Sequence, residues 1–184
     1  MRPYSVEDIR RCFAASNDFN EIFDAFQAAL AGRLMQLELY RELFANRSLT
    51  PDEVRLFGEK LAAEFPSLAY DVYLWLAGQF EVTTSADDNF DLAFHYYRKA
   101  AGVRPSEPDP YVDACDCYDP DLNIPPSALL VDFLQQGIRS VPDPRRLYLC
   151  LARLHELKGD MEQGELYRRK SEDPGFPGDA PPAA

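Results

Sequence analysis

Hydrophobic residues recur along most of this chain at spacings of three and four, and a longer period lies on top of that pattern. Spacings of i, i+3, i+4 and i+7 place side chains on one face of a helix. In the stretch 68–80 that face carries Tyr73, Leu76, Ala77 and Phe80. The same signature returns twice downstream, first as Tyr111, Ala114, Cys115 and Tyr118, then as Tyr148, Leu151, Ala152 and His155. The shift is 38 residues from 73 to 111 and 37 from 111 to 148, which predicts a repeated helical unit.

A second amphipathic helix, predicted over 88–105, follows the first occurrence of this signature. Its packing face carries two small residues seven apart, Ala93 and Ala100, with Tyr97 between them. Pro105 ends the helix, because proline lacks the backbone N–H that would continue the hydrogen-bond pattern. Pro142 lies 37 residues later (142 − 105), so the ends of the units repeat with the same period as their beginnings.

These residues resemble the tetratricopeptide repeat (TPR), a pair of antiparallel helices with a period of about 34 residues. In that family the first helix carries an aromatic–apolar–small–aromatic face and the second a small–aromatic–small face. The chain departs from the second pattern in its two later units, which hold Leu130, Leu134 and Gly137, then Gly164, Arg168 and Ser171. The resemblance implies an all-α fold of antiparallel helical hairpins, stacked over 68–172 as a short TPR-like α-solenoid whose last helix packs against little and acts as a cap.

The pattern divides the chain into three parts. Residues 1–66 hold N-terminal helices that begin near Ser5, near Asn17 or Asp18, and near Thr50, with a further helix marked by apolar residues between Leu34 and Phe44. The segment 37–66 either is a degenerate earlier repeat or is not a repeat. Residues 67–172 hold about three TPR-like repeats. Residues 173–184 are rich in Pro, Gly and Ala, which predicts a flexible tail with Phe176 as its one large apolar residue. Because strand-like alternation is missing, we predict seven to nine helices and no sheet.

The formal net charge of −12 on 184 residues restricts the partners. An acidic surface repels phosphate backbones and anionic lipids, so we expect no nucleic-acid partner and no membrane partner. No stretch approaches the roughly 18 apolar residues of a membrane-spanning helix. The four cysteines form no recognisable disulfide framework and no secretory signal is visible, which favours a reducing, cytoplasmic setting.

The richest cluster of possible metal ligands lies in the segment 113–123. Asp119, Asp121 and Asn123 match the first half of a calcium-binding loop. The glycine that such a loop requires is replaced by Ile124, and its closing glutamate is replaced by Leu130. We therefore predict no metal site here and interpret the segment as an acidic turn exposed to solvent.

Catalytic motifs are equally sparse. Neither histidine lies near a serine or cysteine in a recognised nucleophile motif, and no glycine-rich phosphate loop is present. Cys115 and His155 occupy packing positions of the repeat, so we interpret both as core residues. The sequence therefore predicts no enzyme and no cofactor.

The repeat register predicts a binding face instead. The first helices of stacked hairpins line the concave side of a solenoid. Beside the packing signature, the repeat shifts align three rows, which are Asp71, Leu74 and Glu81, then Asp109, Val112, Asp116 and Asp119, then Arg146, Leu149 and Arg153. We expect Leu74, Val112 and Leu149 to form an apolar line beside acidic side chains, which suits a basic partner segment with an apolar anchor. The alternative is a solvated face without a partner.

Three functions are compatible with this pattern. The leading prediction is a non-catalytic adaptor or scaffold that binds a protein or peptide in the groove. The second is a small acidic TPR-type chaperone for a client protein, and the third is an enzyme or metal-binding protein. The oligomeric state, monomer or dimer, is open at this point, and gel filtration separates a dimeric chaperone from a monomeric adaptor.

Overall fold

A computed structural model describes residues 4–82 and 89–173, and within these ranges the chain forms ten α-helices and no β-sheet. The helices are α1 (Val6–Ala15), α2 (Phe19–Ala31), α3 (Leu37–Phe44), α4 (Pro51–Glu64), α5 (Ala69–Val82), α6 (Asn89–Val103), α7 (Asp109–Asp116), α8 (Ser127–Ile138), α9 (Arg145–Leu157) and α10 (Met161–Glu172). The predicted all-α class is confirmed. The predicted count of seven to nine helices is wrong, since the described residues form ten.

The chain divides into two compact units, Met1–Leu76 and Ala77–Ala184. The boundaries predicted from the sequence, at 66 and 172, stay predictions. None of the helices in the described ranges is both long enough and apolar enough to cross a membrane.

In the first unit, short polar side chains set the helix starts. The Ser5 hydroxyl accepts a hydrogen bond from the backbone N–H of Asp8, and the Asp8 carboxylate accepts one from the backbone of Ser5. Thr50 and Glu53 form the same reciprocal pair at the start of α4, where Pro51 occupies the first helical position. Such pairs satisfy backbone donors that the first helical turn leaves free. The helix starts predicted at Ser5 and Thr50 are confirmed.

The core of the first unit is built from aromatic rings on α1 to α4. Phe26 contacts Phe57 edge to face with ring centroids 4.9 Å apart, and Phe13 lies 6.1 Å from Tyr40. The buried Asn46 amide donates hydrogen bonds to the carbonyl oxygens of Phe13 and Ser16, at 2.8 and 3.0 Å. Asn46 therefore satisfies the carbonyl end of α1, which would otherwise be an unpaired polar group against the core.

The second unit shows the predicted repeat packing. Helix α7 contacts α6, α8 and α9, and α9 contacts α8 and α10. The packing signature is buried at its central positions in this unit, where the exposed fraction is at most 4% for Ala77, Ala114, Cys115, Leu151 and Ala152. The second-helix positions Ala93, Tyr97 and Ala100 are equally buried, at 0%, 3% and 0%. Small residues at these positions let neighbouring helices approach closely.

Two glycines extend this rule to the units that depart from the family pattern. A Cβ atom at Gly137 would lie 2.6 Å from Leu147 Cδ2 and 2.8 Å from the Tyr111 ring. A Cβ atom at Gly164 would lie 2.7 Å from Cγ of Glu156. Both glycines therefore fill the small position of the repeat, where even a methyl group would clash.

Helix α10 ends the described part of the second unit. Within it only Gly164 and Ser171 are buried, yet the helix packs directly on α9. The Arg168 guanidinium donates two hydrogen bonds to the Glu156 carboxylate, at 2.6 and 2.7 Å. The expectation that this helix packs against little is wrong, because Gly164 permits close contact with α9; its polar outer side nevertheless suits the end of a stack.

Two sequence expectations fall wholly or partly outside the described residues. The polar residues 81–87 predict a turn, but Glu81 and Val82 belong to α5, and residues 83–88 lie outside the described ranges. The predicted tail beyond Asp173, including Phe176, also lies outside them.

Candidate functional site

Ion pairs connect the first helices of two successive repeats in the second unit. Asp109 on α7 pairs with Arg146 on α9 at 3.1 Å, and Asp116 pairs with Arg153 at 2.9 Å. Each pair spans 37 residues, which equals the repeat shift found in the sequence. The structure therefore aligns the second and third predicted rows side by side. We call this region, formed by Asp109, Val112, Asp116, Arg146, Leu149 and Arg153, the α7–α9 surface.

The apolar members of the predicted rows differ in exposure. Leu149 is 46% exposed and offers real contact area, whereas Val112 is only 9% exposed. In the first unit, Leu74 and Asp71 are half-buried on α5. The three residues therefore do not form an evenly exposed apolar line. On the α7–α9 surface, Leu149 is the apolar side chain that is accessible to solvent.

Glu81 is part of a hydrogen-bonded cluster. Its Oε1 accepts a 2.6 Å hydrogen bond from the Tyr97 hydroxyl and a second hydrogen bond from the Cys117 thiol. Burial and the bond to Glu81 raise the pKa of Tyr97 above its usual range, and the same two causes raise the pKa of the Cys117 thiol. Tyr97 and Cys117 therefore stay protonated and orient the Glu81 carboxylate.

Asp113 lies beside this cluster on α7. Burial, together with the negative charges of Asp109 and Glu81, raises its pKa to about 6. A carboxyl group with a pKa near neutrality changes charge in the physiological range. Proton binding at Asp113 therefore sets how negative this part of the second unit is.

Asp119 begins a tight turn after α7 instead of continuing the helix. Its Oδ1 accepts hydrogen bonds from the backbone N–H groups of Asp121 and Leu122, at 2.8 and 3.0 Å. Its own backbone N–H donates to the carbonyl of Ile124 at 2.8 Å, and Asn123 has a positive φ of 54°. Aspartate side chains that bond nearby backbone compete with helix formation. The sequence predicts a helix from Asp109 to Tyr118, whereas helix α7 ends at Asp116, two residues earlier.

A cavity of about 560 Å³ opens next to this turn. It lies entirely within the second unit, and its lining comprises Glu81, Phe90, Asp116, Cys117, Tyr118, Asp119, Pro120 and Asp121. Four of these eight side chains are carboxylates and none is lysine or arginine. We call this cavity the acidic pocket; the sequence predicted Glu81, Asp116 and Asp119 as site residues but gave no sign that Phe90 and Tyr118 join them.

The structure also shows where the residues considered for metal binding and acid–base chemistry lie. Among the described residues, no group of three or more His, Cys, Asp or Glu side chains is arranged to hold a metal ion. His155 lies against the Tyr167 ring with centroids 5.4 Å apart. Its buried Nδ1 makes no hydrogen bond, and the nearest carboxylate oxygen, on Asp160, is 3.5 Å away. His155 thus packs in the repeat's aromatic position, as the sequence indicated.

Comparison with known proteins supports the fold. No protein-family model and no curated protein matches the chain by sequence. Among solved structures, one described as "Crystal structure of MamA" is similar over 84% of this chain and 87% of its own, with 17% identity and a TM-score of 0.51. A second, "MamA MSR-1 C2", shares 15% identity over 90% and 91% of the two chains, with a TM-score of 0.49. MamA is a TPR-like helical-repeat protein, and the first likeness shows that this chain has an all-α, TPR-like fold.

Proposed function

We propose that this chain is a non-catalytic protein-interaction module that binds a basic partner segment at the α7–α9 surface and the acidic pocket. The TPR-like fold is one used by interaction and scaffold proteins. Stacked helical repeats provide extended surfaces and need no catalytic group to function. The observation that carries the proposal is the clustering of four carboxylates with Phe90 and Tyr118 in one pocket. One of these carboxylates, Asp116, pairs with Arg153 on α9, the helix that also carries the exposed Leu149.

Charge defines the class of partner. Arg146 compensates Asp109, and Arg153 compensates Asp116, which is one of the four pocket carboxylates. No cationic side chain lines the acidic pocket beside the other three, which are Glu81, Asp119 and Asp121. A lysine or arginine of the partner is attracted by this uncompensated charge and also stacks favourably on an aromatic ring such as Tyr118. The pocket therefore favours a partner segment that contains a basic residue.

Leu149 defines the second requirement. It is 46% exposed on α9, between the two ion-paired arginines of the same helix. Covering this side chain removes apolar area from water, which favours association. Added salt weakens this contribution to binding little, because it does not depend on charge. The partner segment is therefore expected to carry an apolar side chain near its basic residue. We place the interaction in the cytoplasm, where a net charge of −12 favours encounter with basic segments.

The test begins with affinity purification from the native source and continues with the binding segment of the recovered partner. Asp121 is the best position for charge reversal, because it is exposed and lines the pocket. Asp119 is a poorer choice, since its carboxylate holds the turn together. The matched control is Asp132→Lys, which makes the same change at an exposed position of α8.

Isothermal titration at low salt is expected to show weaker binding for Asp121→Lys than for the wild type, and unchanged binding for Asp132→Lys. The difference is expected to shrink as salt is added, because surface charges are screened over about 10 Å at 0.1 M salt. Equal weakening by both substitutions would mean that only overall charge matters. Wild-type affinity in Asp121→Lys would exclude the acidic pocket as the site.

A further inference from the structure

A second cavity in the second unit has the opposite charge from the acidic pocket. It has a volume of about 330 Å³ and lies between α6 and α8, where its lining comprises His95, Arg98, Lys99, Ala101, Gly102, Phe133 and Gln136. Two of these side chains are cationic, and among the lining residues, all in the described ranges, none is a carboxylate. We call this cavity the basic pocket. Its lining is positively charged on a chain whose net charge is −12.

Helical spacing brings the polar side chains of the basic pocket together. His95, Arg98, Lys99 and Gly102 follow the spacing i, i+3, i+4 and i+7, which places them on one face of α6. The buried ring of Tyr96 contacts two of them. The His95 ring lies against it with centroids 5.2 Å apart, and the Lys99 ammonium lies 5.6 Å from its centroid. The basic pocket is therefore built on a fixed aromatic residue.

Arg98 differs from most other arginines of the chain. Most arginines in the described ranges pair with an aspartate or glutamate, whereas the exposed Arg98 forms no such pair there. Packing does not require the two cations, because the repeat shift of 37 aligns Arg98 and Lys99 with Gln135 and Gln136 in the next second helix. The guanidinium of Arg98 is therefore available to an external anion.

The chemistry of the lining indicates the class of ligand. Guanidinium and ammonium groups only donate hydrogen bonds, and the planar fork of arginine matches two oxygens of one phosphate group. The charges of Arg98 and Lys99 together balance a phosphate monoester, which carries about −1.5 to −2 at neutral pH, whereas a carboxylate carries a single charge. Gln136 adds an amide donor from α8, and Phe133 adds an apolar wall.

The size of the basic pocket restricts the ligand further. Small-molecule sites typically have volumes of about 300–1,000 Å³, and 330 Å³ lies at the lower end of that range. The net charge of −12 opposes the approach of an anion from a distance. This repulsion is screened beyond about 10 Å at 0.1 M salt, so the charges nearest to the ligand decide whether it binds.

We propose that the basic pocket binds the phosphate group of a small phosphate monoester. Arg98 and Lys99 bind the phosphate oxygens from α6, and the Gln136 amide donates to them from α8. This site shares no residue with the α7–α9 surface or the acidic pocket. The inference therefore does not require the proposed protein partner, and its failure would leave the proposed function unchanged.

The experiment adds phenyl phosphate to the full-length, isotope-labelled protein and records the backbone amide signals by NMR. We expect shifts that saturate over residues 95–102 and 133–136, with the signals of α1 unchanged. Benzoate, which offers the same ring with a carboxylate, is expected to bind more weakly because it carries less charge. Equal affinities for the two probes, or the lack of saturating shifts in both segments, would overturn the proposal.

Substitutions at the two cations test their role. Arg98→Gln and Lys99→Gln introduce the residue found at the aligned positions of the next repeat, and each is expected to weaken phenyl phosphate binding about tenfold. The matched control is Arg47→Gln, which removes an exposed arginine in the first unit and is expected to bind as the wild type does. Equal weakening by Arg47→Gln would show that only overall charge matters and would overturn the proposal.

Gly102→Phe tests the cavity without changing the charge. A Cβ atom at Gly102 meets nothing within 4 Å, so a larger side chain extends into open space at the basic pocket. We expect this variant to lose phenyl phosphate binding while its circular dichroism spectrum and thermal midpoint match those of the wild type. Wild-type binding by Gly102→Phe would mean that the anion is held outside the cavity, and the proposal would be wrong.

Discussion

Asp116 and Arg153 form a 2.9 Å ion pair across 37 residues of sequence, the distance of one repeat. The pair is therefore a direct measure of how the second and third repeats align. Both side chains are about 60% exposed, at 62% and 60%, so water competes strongly for each charge. The pair reports the register of the repeats, and it adds little to their stability.

A double-mutant cycle of Asp116→Asn and Arg153→Gln tests this assignment. We expect a coupling free energy of about 0.2–1 kcal/mol that decreases as salt is added, because exposed pairs are weak and screened. Chemical denaturation of the four proteins measures it. Asp116→Asn with Arg139→Gln, an exposed arginine on the neighbouring α8 turn, serves as the uncoupled control. If the control cycle gave an equally large coupling free energy, the coupling would come from the overall charge and not from a contact between Asp116 and Arg153.

Close helix packing at Ala93 gives a second prediction. Ala93 is 0% exposed on α6, so Ala93→Asp places a charge in a helix contact without room or partner. We expect unfolding to become easier by more than about 2 kcal/mol. Ala128→Asp makes the same change at an exposed position of α8 and is expected to leave the thermal midpoint nearly unchanged. An unchanged midpoint for Ala93→Asp would contradict the repeat register.

Gly137 tests the same packing with a much smaller change. A methyl group there would meet Leu147 and Tyr111 at less than 3 Å, so Gly137→Ala is expected to destabilise the protein by about 1–3 kcal/mol. Gly78 is the matched control, because a methyl group in that α5 position meets nothing within 4 Å. Gly78→Ala is expected to stabilise by about 0.5–1 kcal/mol through helix preference. Urea denaturation should give opposite signs for the two variants, and the same sign would refute the close approach.

The raised pKa of Asp113 predicts a pH dependence of stability. Its folded pKa of about 6 exceeds the unfolded value of about 4, so its contribution is fully present below about pH 4 and is lost as pH rises through about 6. Since Asp113 is partly solvated, we expect a loss of about 1–2 kcal/mol over that window. Asp113→Asn removes this term, so its stability relative to the wild type should increase from about pH 5 to about pH 7.

Urea denaturation of the wild type and Asp113→Asn at several pH values measures this difference. The exposed Asp132→Asn on α8 shows how much any lost carboxylate changes the curve. A difference between the wild type and Asp113→Asn that stays constant across the window would mean that Asp113 titrates as an ordinary surface carboxylate.

The sequence predicted those parts of the fold that depend on local chemistry and on the repeat. Thr50 and Pro51 mark the start of α4 because capping needs only neighbouring residues. The small position of the repeat was correctly aligned even at Gly137 and Gly164, where the family pattern was otherwise lost. These features follow from short-range hydrogen bonding or from a spacing that recurs several times in the sequence.

The candidate site was predictable only in part. Asp109 and Asp116 were correctly aligned with Arg146 and Arg153, yet their pairing was missed, although opposite charges one repeat apart were a visible signal. The hydrogen bonds from Tyr97 and Cys117 to Glu81 could not be predicted, because they depend on the tertiary packing that brings these three residues together. The early end of α7 likewise depends on the competition between helix and side-chain bonding at Asp119.

Hydrogen exchange of the wild-type protein, with and without the affinity-purified partner, tests the central claim most directly. Binding at the α7–α9 surface and the acidic pocket is expected to slow exchange of backbone amides over residues 109–122 and in α9. A segment in α1, remote in sequence and in the other unit, supplies the internal reference. Protection confined to the first unit, with 109–122 and α9 exchanging as in the free protein, would contradict the account.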